Sequence, residues 1–158
     1  MEYDGKAMDK ALLYLTYRDH STHEVEKYLL SKGFDAATVS AVIAKLNEYG
    51  YLNDDSFTKQ VVDANLVTKG VSKSLVKRKL LQYGINKETI DATLASTDEH
   101  IELENARKWA IKLLPKIDGD LRKKKEKLYR RLVAKGFGYD CIHTVLNDIF
   151  NQEESLDE

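Results

Sequence analysis

Two side chains capable of nucleophilic chemistry lie close together in the sequence, Cys141 and His143. A cysteine can attack a substrate as its thiolate when a neighbouring histidine accepts the proton. On the helix predicted for this segment, however, residues two apart point to different faces, so the pair could form only through a tertiary contact. We therefore interpret Cys141 as a small buried residue and His143 as a surface residue.

The residues that could bind a metal ion lack the spacing that a metal site requires. None of the 4 histidines has a second ligand at metal spacing, and the sequence has no HExxH, CxxC or glycine-rich phosphate loop. Asn53–Asp55 is more typical of a helix cap than of a carboxylate site, and Asp118–Asp120 lacks the remaining ligands of a calcium loop. These patterns predict no catalytic constellation and no metal site, which makes an enzyme the least favoured class of function.

Positive charge is the stronger signal, and it is concentrated in two short segments. Between Leu121 and Lys135 the sequence RKKKEKLYRRLVAK contains a single acidic residue, Glu126, among its Lys and Arg residues. The second segment runs from Lys69 to Lys79 and contains no acidic residue. At 100° per residue, the leucines of the first segment fall on one side of a helix and most of its cations fall on the other. The leucines are Leu121, Leu128 and Leu132, and the cations are Lys123, Lys124, Lys127, Arg130, Arg131 and Lys135.

These basic residues form the candidate binding surface. The candidates are Lys69, Lys73, Lys77, Arg78, Lys79, Lys123, Lys124, Lys127, Arg130 and Arg131. Such a surface can neutralise phosphates or pair with acidic side chains. A run of charge on one helix is also often only its solvated face, and this alternative stays open. Because the net charge of the chain is −1, the case for a polyanionic partner is a local one.

The bulk composition indicates a soluble, folded chain. It is 42% hydrophobic and 32% charged over 158 residues, which favours a globular protein over a disordered one. No apolar stretch approaches the roughly 18 residues of a membrane span. The N-terminus carries acids where a signal peptide needs a basic flank, and the single cysteine excludes an internal disulfide. We expect a cytoplasmic monomer.

The elements that would position these residues are predicted to be helices. Apolar residues recur at helical spacing almost throughout, and Pro115 is the single proline. Helix ends are marked by glycines that precede an apolar residue, because glycine adopts the left-handed conformation of a C-terminal cap without penalty. These are Gly33, Gly50, Gly70, Gly84 and Gly136. Helix starts are marked by a capping box at 21–24 and by Asp35, Asp54, Ser72, Asn86 and Asp120.

Three segments superpose without a gap, which predicts a threefold repeat. They are 25–43, 76–94 and 128–146, and their shared glycines recur at Gly33, Gly84 and Gly136. Each segment gains a preceding helix, and the three preceding helices are expected near 7–18, 54–69 and 98–114. A unit this short cannot bury its apolar face alone, so neighbouring units must stack.

The predicted fold is therefore all-α, with three tandem three-helix repeats, similar to helix-turn-helix units, in an elongated, curved array. We expect the repeats at 1–51, 52–97 and 98–150, followed by an acidic, disordered tail at 151–158.

The order of these motifs resembles a known family. NEYGYLNDDSFTKQVVDANLVTKGVSKSLVKRKLLQYGI (47–85) is similar to the central motif of the bacterial RecX family, the regulators of RecA recombinase. ALLYLTYRDHSTHEVEKYLLSKGF (11–34) resembles the opening helix pair of that family, and KLYRRLVAKGFGYDCIHTVL (127–146) resembles its closing motif. The chain departs from the family before Gly70, where a further basic residue is frequent and DANLVTKG stands here.

The resemblance implies a fold of tandem three-helix units and a role in DNA repair. Proteins of this family bind the filament that RecA forms on single-stranded DNA. They restrain its strand exchange, ATP hydrolysis and co-protease activity in homologous recombination and the SOS response. The resemblance thus implies a regulator that acts by binding and needs no cofactor.

Two other functions stay open from the residues alone. One is a stand-alone nucleic-acid-binding repeat protein that uses the basic stripe, and the other is a scaffold whose basic face meets an acidic protein. No second helix carries the Asn, Gln and Arg mixture of a base reader, so any direct DNA binding is expected to be weak and without sequence readout.

Overall fold

A computed structural model describes the backbone of residues 5–156 and the side chains of residues 5–151. Over these residues the chain forms nine α-helices and no strand, which confirms the all-α prediction. The helices are α1 (Gly5–Tyr17), α2 (Thr22–Ser31), α3 (Ala36–Glu48), α4 (Asp54–Val62), α5 (Lys73–Gln82), α6 (Lys87–Ala95), α7 (Ile101–Leu113), α8 (Leu121–Ala134) and α9 (Tyr139–Leu156). None of the helices in this part of the chain is long and apolar enough to cross a membrane.

Most of the predicted helix starts are confirmed. Ser21 closes a capping box at the start of α2. Simple caps are formed by Asp35, Ser72, Asn86 and Asp120. The prediction for Asp54 is wrong, because Asn53 caps α4 by accepting a backbone N–H at 3.0 Å. Asp54 is the first residue of α4, and its carboxylate accepts instead from the backbone N–H of Thr22 at 2.9 Å.

The predicted glycine ends are also confirmed, and two of them have a packing role. Gly84 and Gly136 have φ angles of 77° and 91°, in the left-handed region that side chains disfavour. A Cβ atom at Gly84 would lie 2.4 Å from the Cβ of His23, and one at Gly136 would lie 2.5 Å from the Oγ of Ser72. These positions need glycine both for the backbone conformation and for the close approach of a neighbouring segment.

The chain divides into two compact units that cut across the three repeats. The first unit comprises Met1–Val61 and Lys79–Asp91. Helices α1, α2 and α3 pack around a core of Ala7, Met8, Ala11, Val25, Leu29, Val39, Val42, Leu46 and Leu52. In the same unit the rings of Phe57 and Tyr83 meet edge to face at 5.2 Å. The first repeat therefore lies whole in this unit together with parts of the second.

The second unit comprises Val62–Arg78 and Ala92–Glu158. Helices α7, α8 and α9 pack around a core of Ala106, Ala110, Ile117, Leu128, Leu132, Phe137, Ile142, Val145 and Phe150. At the end of α8 the hydroxyl of Ser74 donates to the carbonyl oxygen of Gly136 at 2.7 Å. The start of α5, from the second repeat, is thus held against the third repeat within this unit.

The predicted helix at 54–69 is interrupted in its second half. After α4 the backbone continues as a π-helical segment, Asp63–Thr68, in which Asn65 and Leu66 are buried. A π-helix shifts the hydrogen-bonding pattern by one residue and leaves backbone groups for other partners. The side chain of Asn105 uses this, because its Nδ2 donates to the carbonyl oxygen of Leu66 at 2.8 Å. A periodicity argument predicts a helix here but not its change of pitch.

The C-terminal segment differs from the prediction. Helix α9 continues to Leu156, whereas the sequence predicts a disordered tail from residue 151. The segment is rich in glutamate, a good helix former, and contains no glycine or proline that would end the helix. Residues 157 and 158 lie outside the described residues. The residue boundaries of the three repeats stay a prediction.

Candidate functional site

Helix α8 differs from its counterparts by an added turn. It has 14 residues, whereas α2 and α5 have 10 each. The three helices end at matching positions of the repeat, so the extra residues lie at the N-terminus of α8. Asp120 caps this end by accepting from the N–H of Lys123 at 2.9 Å. The added turn, 121–124, carries three consecutive basic residues, so the densest positive charge stands on a turn that the other repeats lack.

The two sides of α8 are sharply different. Leu128 and Leu132 are fully buried. Four cations on the other side are exposed, and we refer to Lys123, Lys127, Arg130 and Arg131 as the α8 stripe. Lys124 is half-buried beside it. The expectation that Leu121 packs with the other leucines is wrong, since it is 40% exposed. Its side of the helix is as predicted, but the added turn extends past the residues that bury Leu128 and Leu132.

The charge of the α8 stripe is not neutralised by neighbouring side chains. Lys127 donates through Nζ to the carbonyl oxygen of Asp118 at 2.9 Å. Among the side chains that the structure describes, no carboxylate forms an ion pair with any member of the α8 stripe. The single acid of the helix, Glu126, lies 3.6 Å from Nε of Arg122 instead. The stripe is therefore a rigid row of cations on a helix that is anchored by its buried leucines.

The second basic segment does not form one face. Val76 and Leu80 are buried, and at 100° per residue Lys77 and Lys79 flank this buried side on opposite edges of α5, with Arg78 pointing away. Lys77 and Lys79 are half-buried, and Arg78 is exposed. In the repeat alignment, Arg78 and Lys79 stand at the positions of the α8 stripe residues Arg130 and Arg131, but Lys79 is half-buried whereas Arg131 is exposed. Joint action of the two basic segments stays a prediction.

The remaining two candidates of that segment have separate environments. Lys73 begins α5, is half-buried, and donates its backbone N–H to the carboxylate of Glu102. Lys69 is exposed at the end of the π-helical segment and lines a surface cleft with residues of α7. The structure thus places Lys69 with residues that the sequence analysis did not select.

Trp109 is the main feature that sequence reasoning misses, because a lone tryptophan among apolar positions is typical of a core residue. It is half-buried, and its Nε1 donates to the carbonyl oxygen of Gly70 at 3.0 Å. The ammonium of Lys135 lies 3.6 Å from the centroid of the Trp109 ring. Lys135 therefore contacts this tryptophan and is not a member of the α8 stripe. The i, i+3, i+4, i+7 spacing of Asn105, Lys108, Trp109 and Lys112 could have indicated a polar face on α7.

The candidate nucleophile is poorly suited to react. Cys141 is half-buried, and burial raises the pKa of its thiol, with the negative charge of Glu102 adding to the effect. A raised pKa lowers the thiolate fraction near neutral pH. His143 is exposed and lies against the ring of Tyr139 at 4.2 Å. Over the described residues, no group of three or more His, Cys, Asp or Glu side chains is placed to hold a metal ion. The arrangement is suited to binding rather than to covalent chemistry.

The nine helices define an all-α helical-repeat protein over the described residues, and comparison with known proteins identifies its family. The family model for the first three-helix domain of RecX matches residues 7–46, and the model for the third matches residues 100–146. The protein named Regulatory protein RecX from Clostridioides difficile (strain 630) is 33% identical over 150 residues, which are 94% of this chain and 70% of that protein. The one from Bacillus subtilis (strain 168) is 35% identical over 146 residues, 91% of this chain and 55% of that protein.

Solved structures agree with the sequence comparisons. The crystal structure of RecX from Lactobacillus salivarius superposes with a TM-score of 0.84 at 27% identity and covers 90% of this chain and 94% of its own. A second crystal structure, of a regulatory protein RecX, matches with a TM-score of 0.82 at 23% identity and supports the fold alone. The chain belongs to the RecX family, which confirms the resemblance found in the sequence. It spans just over half the length of the Bacillus relatives.

Proposed function

We propose that this protein binds the RecA–DNA filament in the cytoplasm and restrains RecA strand exchange, ATP hydrolysis and co-protease activity. Membership of a family of regulatory proteins supports a regulatory role, and the resemblance of its motifs implies RecA as the partner. The observation that carries the proposal is the α8 stripe, a row of exposed cations without carboxylate partners among the described side chains.

The physical basis is charge neutralisation by a rigid helix face. A nucleoprotein filament presents phosphates and acidic side chains, and both gain from arginine and lysine held close to them. Arg130 and Arg131 can each make two parallel hydrogen bonds to one phosphate or carboxylate, whereas Lys123 and Lys127 act as point charges. Because Leu128 and Leu132 fix the helix from the other side, little conformational entropy is lost from its backbone on binding.

The test is RecA ATP hydrolysis on preformed DNA filaments, with this protein added at substoichiometric and then stoichiometric amounts. We expect the unmodified protein to inhibit. A variant with Lys123→Ala, Lys127→Ala, Arg130→Ala and Arg131→Ala should keep its helical circular dichroism and lose the inhibition. A matched control removes the same charge from exposed lysines of the first unit, Lys10, Lys27, Lys59 and Lys87. Full inhibition by the stripe variant, or equal loss in both variants, would remove the α8 stripe from the mechanism.

The second candidate function is stand-alone nucleic-acid binding by the same cations. The added turn of α8 favours it, because its exposed Lys123 forms no ion pair among the described side chains and such a cation can also bind a bare phosphate. Both contacts weaken as salt is added, so the discriminating measurement is binding to bare single-stranded DNA in the ATPase buffer. Inhibition of RecA at protein concentrations that leave bare DNA free supports filament regulation. Tight DNA binding without inhibition supports the alternative.

A further inference from the structure

A second concentration of positive charge lies on α7 and the end of the π-helical segment. A surface cleft of about 200 Å³ opens there. Three of its lining residues are lysines, Lys69, Lys108 and Lys112, and none is acidic. Its other lining residues are Val67, Thr68, Gly70, Asn105 and Trp109. We refer to this feature as the tryptophan cleft, and it shares no residue with the α8 stripe.

The tryptophan gathers further cations around the cleft. The ammonium groups of Lys112 and Lys135 lie 5.0 Å and 3.6 Å from the centroid of the Trp109 ring. An aromatic face attracts a cation but carries no net charge, so it orients these lysines without neutralising them. Lys112 already lines the cleft with Lys69 and Lys108, so Lys135 adds a fourth lysine beside it. In a chain of net charge −1, such a cluster is a local excess that an anion would relieve.

The walls of the cleft are held by buried and part-buried hydrogen bonds. Nδ2 of Asn105 donates to the carbonyl oxygens of Leu66 and Val71, at 2.8 Å and 3.1 Å. Nε1 of Trp109 donates to the carbonyl oxygen of Gly70 at 3.0 Å. These bonds tie the π-helical segment and the following turn to α7. The backbone that carries these lysines is thus fixed before any ligand arrives, which lowers the entropy lost on binding.

We propose that the tryptophan cleft binds a phosphate group of a single-stranded nucleic acid. Lys69, Lys108 and Lys112 supply the charge, and the hydroxyl of Thr68 supplies a neutral donor. A phosphate is favoured over a side-chain carboxylate because it offers more acceptor oxygens to donors that converge from several sides. The inference extends the proposed function, since it gives the nucleic acid of the filament a contact outside the α8 stripe.

The chain provides its own reporter for the test, because Trp109 is its only tryptophan. The emission of the full chain is followed while oligothymidylate is added, and affinity is measured independently by the anisotropy of a labelled oligothymidylate at several salt concentrations. We expect a saturable change in Trp109 emission. Each phosphate contact to a single strand adds about 0.7 to the slope of log K against log salt, so Lys108→Ala/Lys112→Ala, which removes the contact to one phosphate, should lower that slope by about 0.7.

The controls separate the cleft from general charge and from other anions. Lys59→Ala/Lys87→Ala removes the same charge from exposed positions of the first unit and should leave the emission change intact. Inorganic phosphate and polyglutamate are titrated in parallel. An unchanged slope and affinity in Lys108→Ala/Lys112→Ala would overturn the proposal. So would an equal response to inorganic phosphate at the same phosphate concentration, or a response to polyglutamate alone.

Failure of this proposal is distinguishable from failure of the proposed function. The cleft is tested by DNA binding without RecA, whereas the α8 stripe is tested by RecA ATP hydrolysis. A stripe variant that loses inhibition but keeps the Trp109 emission change supports both assignments. A cleft variant that binds oligothymidylate normally overturns the cleft and leaves the stripe test as it stands.

Discussion

The hydroxyl of Ser21 donates a hydrogen bond to the carbonyl oxygen of Tyr83 at 2.6 Å. Ser21 is also the N-cap of α2 and accepts from the N–H of Glu24 at 3.2 Å. One buried hydroxyl therefore satisfies an orphan donor at the start of one helix and an orphan acceptor at the end of another, α5. The first repeat and part of the second are joined in this way within the first unit.

The same contact recurs at the matching position of the next repeat. In the second unit, Ser72 donates to the carbonyl oxygen of Lys135 at 2.9 Å and accepts from the N–H of Leu75 at 3.3 Å. A carboxylate completes each junction, as Asp54 accepts from the N–H of Thr22 and Glu102 accepts from that of Lys73. Helix ends left unpaired by one repeat are thus satisfied by its neighbour, which gives a physical reason for the repeats to stack. Both junctions therefore contain the same set of hydrogen bonds, centred on Ser21 in the first unit and on Ser72 in the second.

Removal of the junction hydroxyl should be more destabilising than removal of an ordinary cap. In Ser72→Ala, the part-buried N–H of Leu75 and carbonyl of Lys135 both lose their partner, the buried Ser72 hydroxyl, so the free energy of unfolding should fall by about 2–3 kcal/mol. The measurement is urea unfolding followed by circular dichroism. Asp35→Ala is the matched control, because Asp35 is an exposed cap that accepts from Thr38 of its own helix. Equal losses in the two variants would contradict a role for the junction.

The glycines at the helix ends allow a second test of the junction. Alanine in the left-handed conformation costs about 1–2 kcal/mol, and this cost should apply to Gly33→Ala, Gly84→Ala and Gly136→Ala alike. At Gly33 a Cβ atom would meet nothing within 4 Å, whereas at Gly84 and Gly136 it would meet His23 and Ser72. The two junction variants should therefore lose about 1–3 kcal/mol more than Gly33→Ala in urea unfolding. Three equal losses would show that the close approach adds nothing to the backbone cost.

The side chain of Asn105 is predicted to hold the π-helical segment. It is 4% exposed, and replacement by leucine leaves the carbonyl oxygens of Leu66 and Val71 without their donor. We expect Asn105→Leu to lower the free energy of unfolding by about 2–4 kcal/mol and to alter Trp109 emission. Asn47→Leu is the control, since its Nδ2 donates to the carbonyl of Ile43 from an exposed position. A native unfolding midpoint in Asn105→Leu would show that the segment keeps its pitch unaided.

Features that depend on local chemistry could be predicted from the sequence. The threefold repeat follows from apolar spacing around Gly33, Gly84 and Gly136, and their left-handed φ angles follow from the need for a terminal cap. Ser21 and Asp120 were recognisable as caps because a cap acts on its own helix. The exposed position of the α8 stripe opposite Leu128 follows from helical geometry alone.

Features that depend on a neighbouring segment could not be predicted in this way. Asp54 has the chemistry of a cap, but its carboxylate accepts from Thr22, far away in sequence. Leu121 lies on the apolar side of α8, yet nothing in the sequence shows that the added turn extends past the core. Trp109 resembles a core residue until the carbonyl of Gly70 is placed beside its indole N–H. In each case the partner is supplied by the tertiary fold.

The environment of His20 predicts a dependence of stability on pH. The side chain is 5% exposed, and its ring stacks on that of Tyr14 at 3.8 Å. Nδ1 is buried and finds no hydrogen-bond partner in the part of the chain that the structure describes. Burial lowers the pKa of His20, and the positive charge of nearby Arg18 adds to this, whereas the charges of Glu24 and Asp19 oppose it. The folded protein therefore keeps this imidazole neutral at a pH where the unfolded chain takes up a proton.

The sign of the effect follows from this difference in proton uptake. Above the ordinary histidine pKa of about 6.5, His20 costs the folded state nothing by titration. As the pH falls from there towards the lower pKa of the folded state, the free energy of unfolding decreases by no more than about 1.4 kcal/mol per pH unit. His20→Phe keeps a ring on Tyr14 and cannot be protonated, so its unfolding free energy should vary less between about pH 7.5 and about pH 5.5. The exposed His100 serves as the control, and His100→Gln should retain the pH dependence of the unmodified protein. The assignment to His20 is contradicted if His20→Phe loses stability with falling pH as steeply as the unmodified chain does.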